Sequence, residues 1–188
     1  MYCMKKWILL FVMFFVMVPE IVPEASTATK NPPADWSQWE TLRSYTAIAD
    51  QVQVECLAKN IYFEARNQKL VSRIAVGLVT LNRVEDELFP PTICGVITEA
   101  QLWKGKPVRD ACQFSWYCDG KSDVPKNLKA WNKAFNLAIN LYTMKNYHIF
   151  DFTYGATHYH ATYVNPKWAK KLKRTAQFEM HIFYRMEK

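Results

Sequence analysis

A mainly helical α+β domain that ends in a small antiparallel sheet is the fold the sequence predicts. Two observations carry this. Apolar residues recur at helical spacing through the first two thirds of the chain, and the last third changes to extended segments. At 188 residues, half of them hydrophobic and 15% aromatic, the chain can bury the core of one domain without a staple.

The elements follow in chain order. Lys5 and Lys6 precede an apolar run from Trp7 to Val18 that Pro19 ends. The run is too short to span a bilayer comfortably and suits the apolar region of a secretory signal. Ser26-Thr27-Ala28 offers a small-x-small cleavage site; an uncleaved membrane anchor is the alternative, and either one carries the body out of the cytoplasm. Residues 1–28 are therefore read as signal peptide or anchor, 29–51 as linker and packing helix, and 52–188 as the main domain. Trp36, Trp39, Leu42 and Tyr45 give the packing helix its spacing.

A helix is predicted from about Val52 to Arg66, with Val54, Leu57, Ala58, Ile61 and Ala65 on its apolar face. A second runs from about Val71 to Glu87 with Ile74, Leu78 and Leu81 inward, until Phe89-Pro90-Pro91 stops it. Thr92 to Ile97 suits one short helical turn. Thr98 to Val124 reads as irregular, polar loop, the kind of segment that carries function on a rigid scaffold. A third long helix is predicted from near Pro125, capped by Ser122 or Asp123, with Leu128, Trp131, Phe135, Ala138 and Tyr142 as its buried stripe. Ala156 to Tyr163 and Arg174 to Tyr184 then read as extended, the latter alternating Phe178, Met180, Ile182 and Tyr184 on one face.

Composition narrows the function. Five glycines argue against a glycine-rich phosphate loop or a repeat array. A formal charge of +7 favours an anionic partner: nucleic acid, anionic lipid or cell-wall polymer. Export makes nucleic acid hard to sustain and leaves the membrane to the N-terminal segment alone. Beyond Cys3 the chain keeps Cys56, Cys94, Cys112 and Cys118, an even set that permits two disulfides in three connectivities; buried free thiols are the alternative.

Glu64 is the first candidate for chemistry. On the helical projection it falls roughly 20° from Leu57, at the edge of the apolar stripe. Apolar walls favour the neutral carboxyl and raise its pKa, which lets a glutamic acid donate a proton near neutral pH. The alternative is a boundary glutamate whose head reaches water or pairs with Lys59 or Arg66. The second candidate is Cys112-Gln113-Phe114-Ser115-Trp116, where amide, hydroxyl and aromatic groups stand together as sugar-binding sites require; a loop merely anchored by Phe114 and Trp116 fits equally. The third is Gly155-Ala156-Thr157-His158-Tyr159-His160. On a strand His158 and His160 share a face, as metal ligands would, but a zinc hydrolase needs about three protein ligands and no H-E-x-x-H occurs.

Seven motifs in register, namely Tyr62-Phe63-Glu64-Ala65-Arg66, Leu81-Asn82-Arg83-Val84, Cys94-Gly95-Val96-Ile97, the Gln113 and Thr157 segments above, Asn165-Pro166-x-Trp168 and His181-x-Phe183-Tyr184, closely resemble the SleB-type cell wall hydrolases. The resemblance spans about Glu55 to Tyr184. It implies a lysozyme-like fold, peptidoglycan as partner, no cofactor, a monomer, and lytic cleavage of the glycan strand by one glutamate, matching Glu64. It places Gln113, Ser115, Trp116, Thr157, His158 and Tyr159 along the glycan cleft. A hydrolytic member would need a second carboxylate, for which Asp119 is the sequence candidate. Two departures stand out: Asn67-Gln68 replaces the common Gly-Glu, and Gln101 to Ala111, with Trp103, Lys104, Lys106 and Arg109, is extended. That extension is read either as added contact with anionic wall polymer or as a solvated loop. No peptidoglycan-binding repeat is recognisable ahead of the main domain, so cortex specificity finds no support. Rival readings are a metal-dependent amidase or peptidase using His158 and His160, and an inactive wall-binding module.

Overall fold

The computed structural model describes residues 48–144 and 147–187. The expected leader and residues 29–47 of the expected linker and packing helix lie outside those residues. Helix α1 spans Ile48–Ala65, starting earlier than the predicted Val52. Its stripe of Val54, Leu57, Ala58, Ile61 and Ala65 is buried as the 3.6-residue period requires. Helix α2, Leu70–Val84, is shorter than predicted: its chain turns at Asp86, whose carboxylate accepts from the Leu88 amide. Helix α3, Ile93–Thr98, is the expected short turn, capped by the Thr92 hydroxyl on the Gly95 amide.

Thr98 to Val124 is irregular only in part: residues 119–124 hold neither helix nor strand, but the stretch before them is ordered. Strand β1, Ala100–Trp103, and strand β2, Lys106–Cys112, form an antiparallel hairpin, followed by a 3-10 turn at Ser115–Cys118. Lys104 and Gly105 both take positive φ between the facing pair Trp103 and Lys106, the two-residue turn that matches strand twist. The loop reading failed because neither strand is half-buried: every residue from Gln101 to Asp110 is exposed, so no period-2 alternation is written there.

Helix α4 spans Leu128–Thr143. Its cap is Asn127, which accepts from the Ala130 amide, and not Ser122 or Asp123. The Tyr62 hydroxyl accepts the Asn127 amide and ties this start to α1. Phe135 and Ala138 are buried as predicted, but Leu128 is exposed because it sits in the first turn, beyond the α1 contact. Helices α1 to α4 share one core that includes Leu57, Ile61, Leu78, Val96, Phe135 and Leu141. Where α1, α2 and α4 meet, Gly77 is needed: a Cβ there would lie 2.5 Å from the Leu141 Cδ1.

The C-terminal sheet has three strands in the order β3-β5-β4: β3 His158–Ala161, β4 Lys173–Phe178 and β5 His181–Arg185, all antiparallel. The single extended segment predicted from Arg174 to Tyr184 is thus a hairpin, and Met180 is an exposed turn residue. Glu-Met is poor turn sequence; tertiary contacts hold it. The Glu179 carboxylate accepts from the Lys69 amide at 2.7 Å and the Ser72 hydroxyl at 3.1 Å, capping α2. Those bonds, the Lys69 amide first, hold its pKa below the usual range. On its sheet-facing side α2 packs Ala75 and Val79 against Ala156 and Phe183.

The architecture is therefore mainly helical α+β with a small antiparallel C-terminal sheet, as predicted. The cysteines form two bridges, Cys56–Cys94 between α1 and α3 and Cys112–Cys118 across the loop after β2. Among the described residues no helix is long and apolar enough to cross a membrane. The Cys56–Cys94 bridge closes a loop of 38 residues. Replacing both cysteines by alanine is expected to lower stability by about 2–4 kcal/mol, read as a lower urea midpoint under non-reducing conditions.

Candidate active site

The last turn of α1 delivers Glu64 to the face covered by β3. The Tyr159 hydroxyl donates to its Oε2 at 2.9 Å. The two cations that sequence reading offers as its partners are engaged elsewhere: Lys59 pairs with Glu55 at 3.2 Å, and the Arg66 guanidinium lies over the Tyr62 ring. Burial raises the Glu64 pKa above the ordinary carboxylate value; the Tyr159 hydrogen bond and the Arg83 charge pull it down without cancelling the rise. Tyr159 is pushed well above its ordinary pKa, by burial first and by the Glu64 charge second, so it stays a donor.

Arg83, at the end of α2, is only 4% exposed. Its Nε donates to the Thr157 carbonyl at 2.6 Å, and its guanidinium lies 5.2 Å from the Phe89 ring centre and 5.0 Å from that of Phe114. Burial lowers its pKa, while Tyr159, Glu99 and Glu64 push it back up. Asn82, its neighbour, donates to Asp151, Thr153 and the Ala156 carbonyl. Asp151 in turn accepts from the Thr153 and Gly155 amides and the Thr153 hydroxyl, which fixes the turn that leads into β3.

The other predicted residues divide. Phe114 is buried beneath Arg83, while Gln113 and Ser115 on either side are exposed. Trp116 stacks on Phe63 with centroids 4.7 Å apart and donates to Asn60, which donates to Thr80. One ring face and the N–H are thus committed, and Trp116 anchors the loop beside Glu64. Gln113 lines a cavity of about 480 Å³ with Glu99, Gln101, Ala111 and Trp168, and its amide donates to the Glu99 carbonyl.

Thr157 is buried and its hydroxyl pairs with His158 Nδ1 at 2.9 Å. His158 and His160 share a face, as predicted, but both rings pack on Trp168, and His160 Nε2 pairs with the Tyr184 hydroxyl. Among the described residues no group of three or more His, Cys, Asp or Glu side chains is placed to hold a metal. Asp119 is bonded to the Lys121 amide and ammonium, and its pKa is lowered by these contacts, the amide first; it does not join Glu64.

Residues 67–184 match the family described as Cell Wall Hydrolase. The chain belongs to this family. A spore cortex-lytic enzyme from Oceanobacillus iheyensis is 41% identical over 53 residues, which is 28% of this chain and 19% of that protein. A spore cortex-lytic enzyme from Bacillus cereus is 31% identical over 77 residues, 41% of this chain and 28% of that protein. The matches thus span less than a third of these curated relatives. Among solved structures, the catalytic domain of the Bacillus cereus SleB protein superposes with a TM-score of 0.53 at 25% identity, over 75% of this chain and 94% of that domain. The catalytic domain of the germination-specific lytic transglycosylase SleB from Bacillus anthracis gives the same score and identity over 98% of that domain.

The span matched to the Cell Wall Hydrolase family holds Arg83, the Gln113 loop and Tyr159, and begins just after Glu64. Arg83, Asn60, Glu99 and Trp168 are the site residues that sequence reasoning missed. Arg83 and Trp168 stood in recognised motifs without a role. A lone arginine at a helix end more often points to water, and nothing in its neighbours announces the two rings that enclose it.

His158 titrates at about 4, lowered by burial first and by the Arg83 charge second. Its folded pKa lies below its ordinary 6.5, so the unfolded chain takes up the proton first as pH falls. This contribution to stability is whole above pH 6.5 and is lost between there and about 4. Urea titrations at several pH values should show a steeper loss toward acid in the native protein than in His158→Gln; parallel curves would contradict the assignment.

Proposed function

We propose that this chain cleaves the peptidoglycan glycan strand after N-acetylmuramic acid as a lytic transglycosylase, with Glu64 as acid and then base. The observation that carries the reading is the half-buried Glu64 carboxyl, held by Tyr159 and made harder to ionise by burial. Membership of the Cell Wall Hydrolase family and the likeness to the SleB catalytic domains support the substrate class. The two disulfides suit an oxidising compartment outside the cytoplasm, where that substrate lies.

In the proposed reaction neutral Glu64 gives its proton to the glycosidic oxygen as the bond from the muramoyl C1 breaks. The muramoyl C6 hydroxyl then attacks C1, and its proton returns to the Glu64 carboxylate as the 1,6-anhydro ring closes. The acid is restored, no water is consumed, and one carboxyl serves both halves. The Tyr159 hydrogen bond to Oε2 leaves the other oxygen for proton transfer and fixes the carboxyl plane. Arg83 supports the anionic intermediate state of Glu64 from within the protein. Gln113 and Ser115, exposed, and the partly exposed His158 line the glycan path in this reading; Thr157 orients His158, and Trp116 holds the loop.

Hydrolysis would call for a second carboxylate. Asp119 is held by Lys121, whereas Glu99 acts on the same Arg83 as Glu64 does. Mass spectrometry of fragments released from purified peptidoglycan separates the two: anhydromuramoyl ends support the lytic reaction, and reducing ends would make Glu99 the next residue to test.

Glu64→Gln keeps the shape and loses the proton. It is expected to lower kcat by about 100- to 10,000-fold with an unchanged circular dichroism spectrum; full activity would overturn the mechanism. Because the acid must be protonated, activity should fall as pH rises through the raised Glu64 pKa. Tyr159→Phe removes a hydrogen bond that favours the carboxylate, so that alkaline limb should move to higher pH while kcat falls. A limb that stays in place would show that Tyr159 does not act on Glu64.

A further inference from the structure

The β1–β2 hairpin is a two-stranded sheet of its own, separate from the C-terminal sheet. Isolated two-stranded ribbons are marginal in water, and among the described residues this one is held at its base by the Glu99–Gln113 backbone bond and the Cys112–Cys118 bridge. Every residue of its outer part, from Gln101 to Asp110, is exposed. Trp103 is 71% exposed and Leu102 63%, while Lys104, Lys106 and Arg109 bring three cations against the single acid Asp110. The facing pair Trp103 and Lys106 lies on one side of the ribbon, and the Lys104 ammonium stands 6.0 Å from the Trp103 ring centre. Trp103, Lys104, Lys106, Pro107 and Val108 line a shallow concavity.

We propose that this hairpin is a substrate arm that grips the peptidoglycan strand beyond the cleft. Trp103 would take the apolar C–H face of a sugar, and the three cations would take the carboxylates of the stem peptides that branch from the strand. The proposal rests on the substrate class inferred above. Two observations favour this occupant. The charge is complementary to an anionic polymer, and the arm's base is continuous with the cavity beside the site: Ala100, Gln101 and Ala111 of the two strands line it together with Gln113 and Trp168. A strand leaving that cavity runs onto the ribbon. An aromatic face flanked by cations also suits a polymer that alternates sugar rings with acidic peptides better than it suits either feature alone.

The test uses the full chain carrying Glu64→Gln, so that sacculi are bound and not consumed, and measures co-sedimentation with purified sacculi at rising salt. Adding Trp103→Ala, Lys104→Ser and Lys106→Ser is expected to weaken binding about tenfold and flatten its salt dependence. Lys106→Glu alone, a single exposed change, should act in the same direction. Lys129→Ser with Lys133→Ser on α4 removes the same charge from another exposed surface and should have little effect. Unchanged binding in the hairpin variants, an equal loss from the α4 control, or no sacculus binding by the parent would overturn the proposal. So would hairpin-dependent binding to phosphatidylglycerol vesicles without a change on sacculi. A native chain that makes no anhydromuropeptides would remove the catalytic reading, yet the binding comparison would still decide the arm.

Discussion

A guanidinium taken out of water organises this molecule. Moving a charge from water into a protein costs several kcal/mol unless partners surround it, and Arg83 is 4% exposed. Its partners come from every part of the fold. The Thr157 carbonyl arrives from the start of the sheet, Phe89 from the turn after α2, Phe114 from the loop after the hairpin, and the Glu64 charge from the end of α1. No two of these are neighbours in sequence. The need to enclose one charge brings them together, and Glu64 lies where they meet.

The same charge sets the chemistry available to Glu64. Burial alone would leave a carboxyl that gives up its proton reluctantly and takes it back too readily. Arg83 and the Tyr159 hydroxyl oppose that drift, and the net shift remains upward. The proposed reaction has this group donate and then accept within one turnover, which such opposed influences favour. His158 feels the other side of the balance: the Arg83 charge adds to burial and keeps its ring neutral above about pH 4. It can therefore stay at the site as a hydrogen-bonding wall, carrying no second positive charge beside Arg83.

Legibility followed burial. Helix α1 was readable because Val54, Leu57, Ala58, Ile61 and Ala65 repeat with the helix and all face one core. Glu64 was readable for the same reason, as a break at the edge of that stripe. Both hairpins were missed, for different reasons. The β1–β2 ribbon is exposed on both faces from Gln101 to Asp110 and so carries no alternation, leaving Lys104-Gly105 as its turn signal. The β4–β5 turn lacks turn residues because Glu179 serves as a distant cap for α2. Arg83 was quoted within a motif yet given no role, since its meaning lies in Phe89 and Phe114, which periodicity does not connect to it.

The two disulfides act on different levels. Cys56–Cys94 spans 38 residues and restrains the unfolded chain, tying α1 to α3. Cys112–Cys118 closes only a short loop, so it restricts the unfolded ensemble less. Its effect is local. Between its cysteines lie Phe114, which covers Arg83, and Trp116, which stacks on the residue before Glu64. The bridge thus braces, together with the buried Phe114 and the stacked Trp116, the segment that encloses the charge.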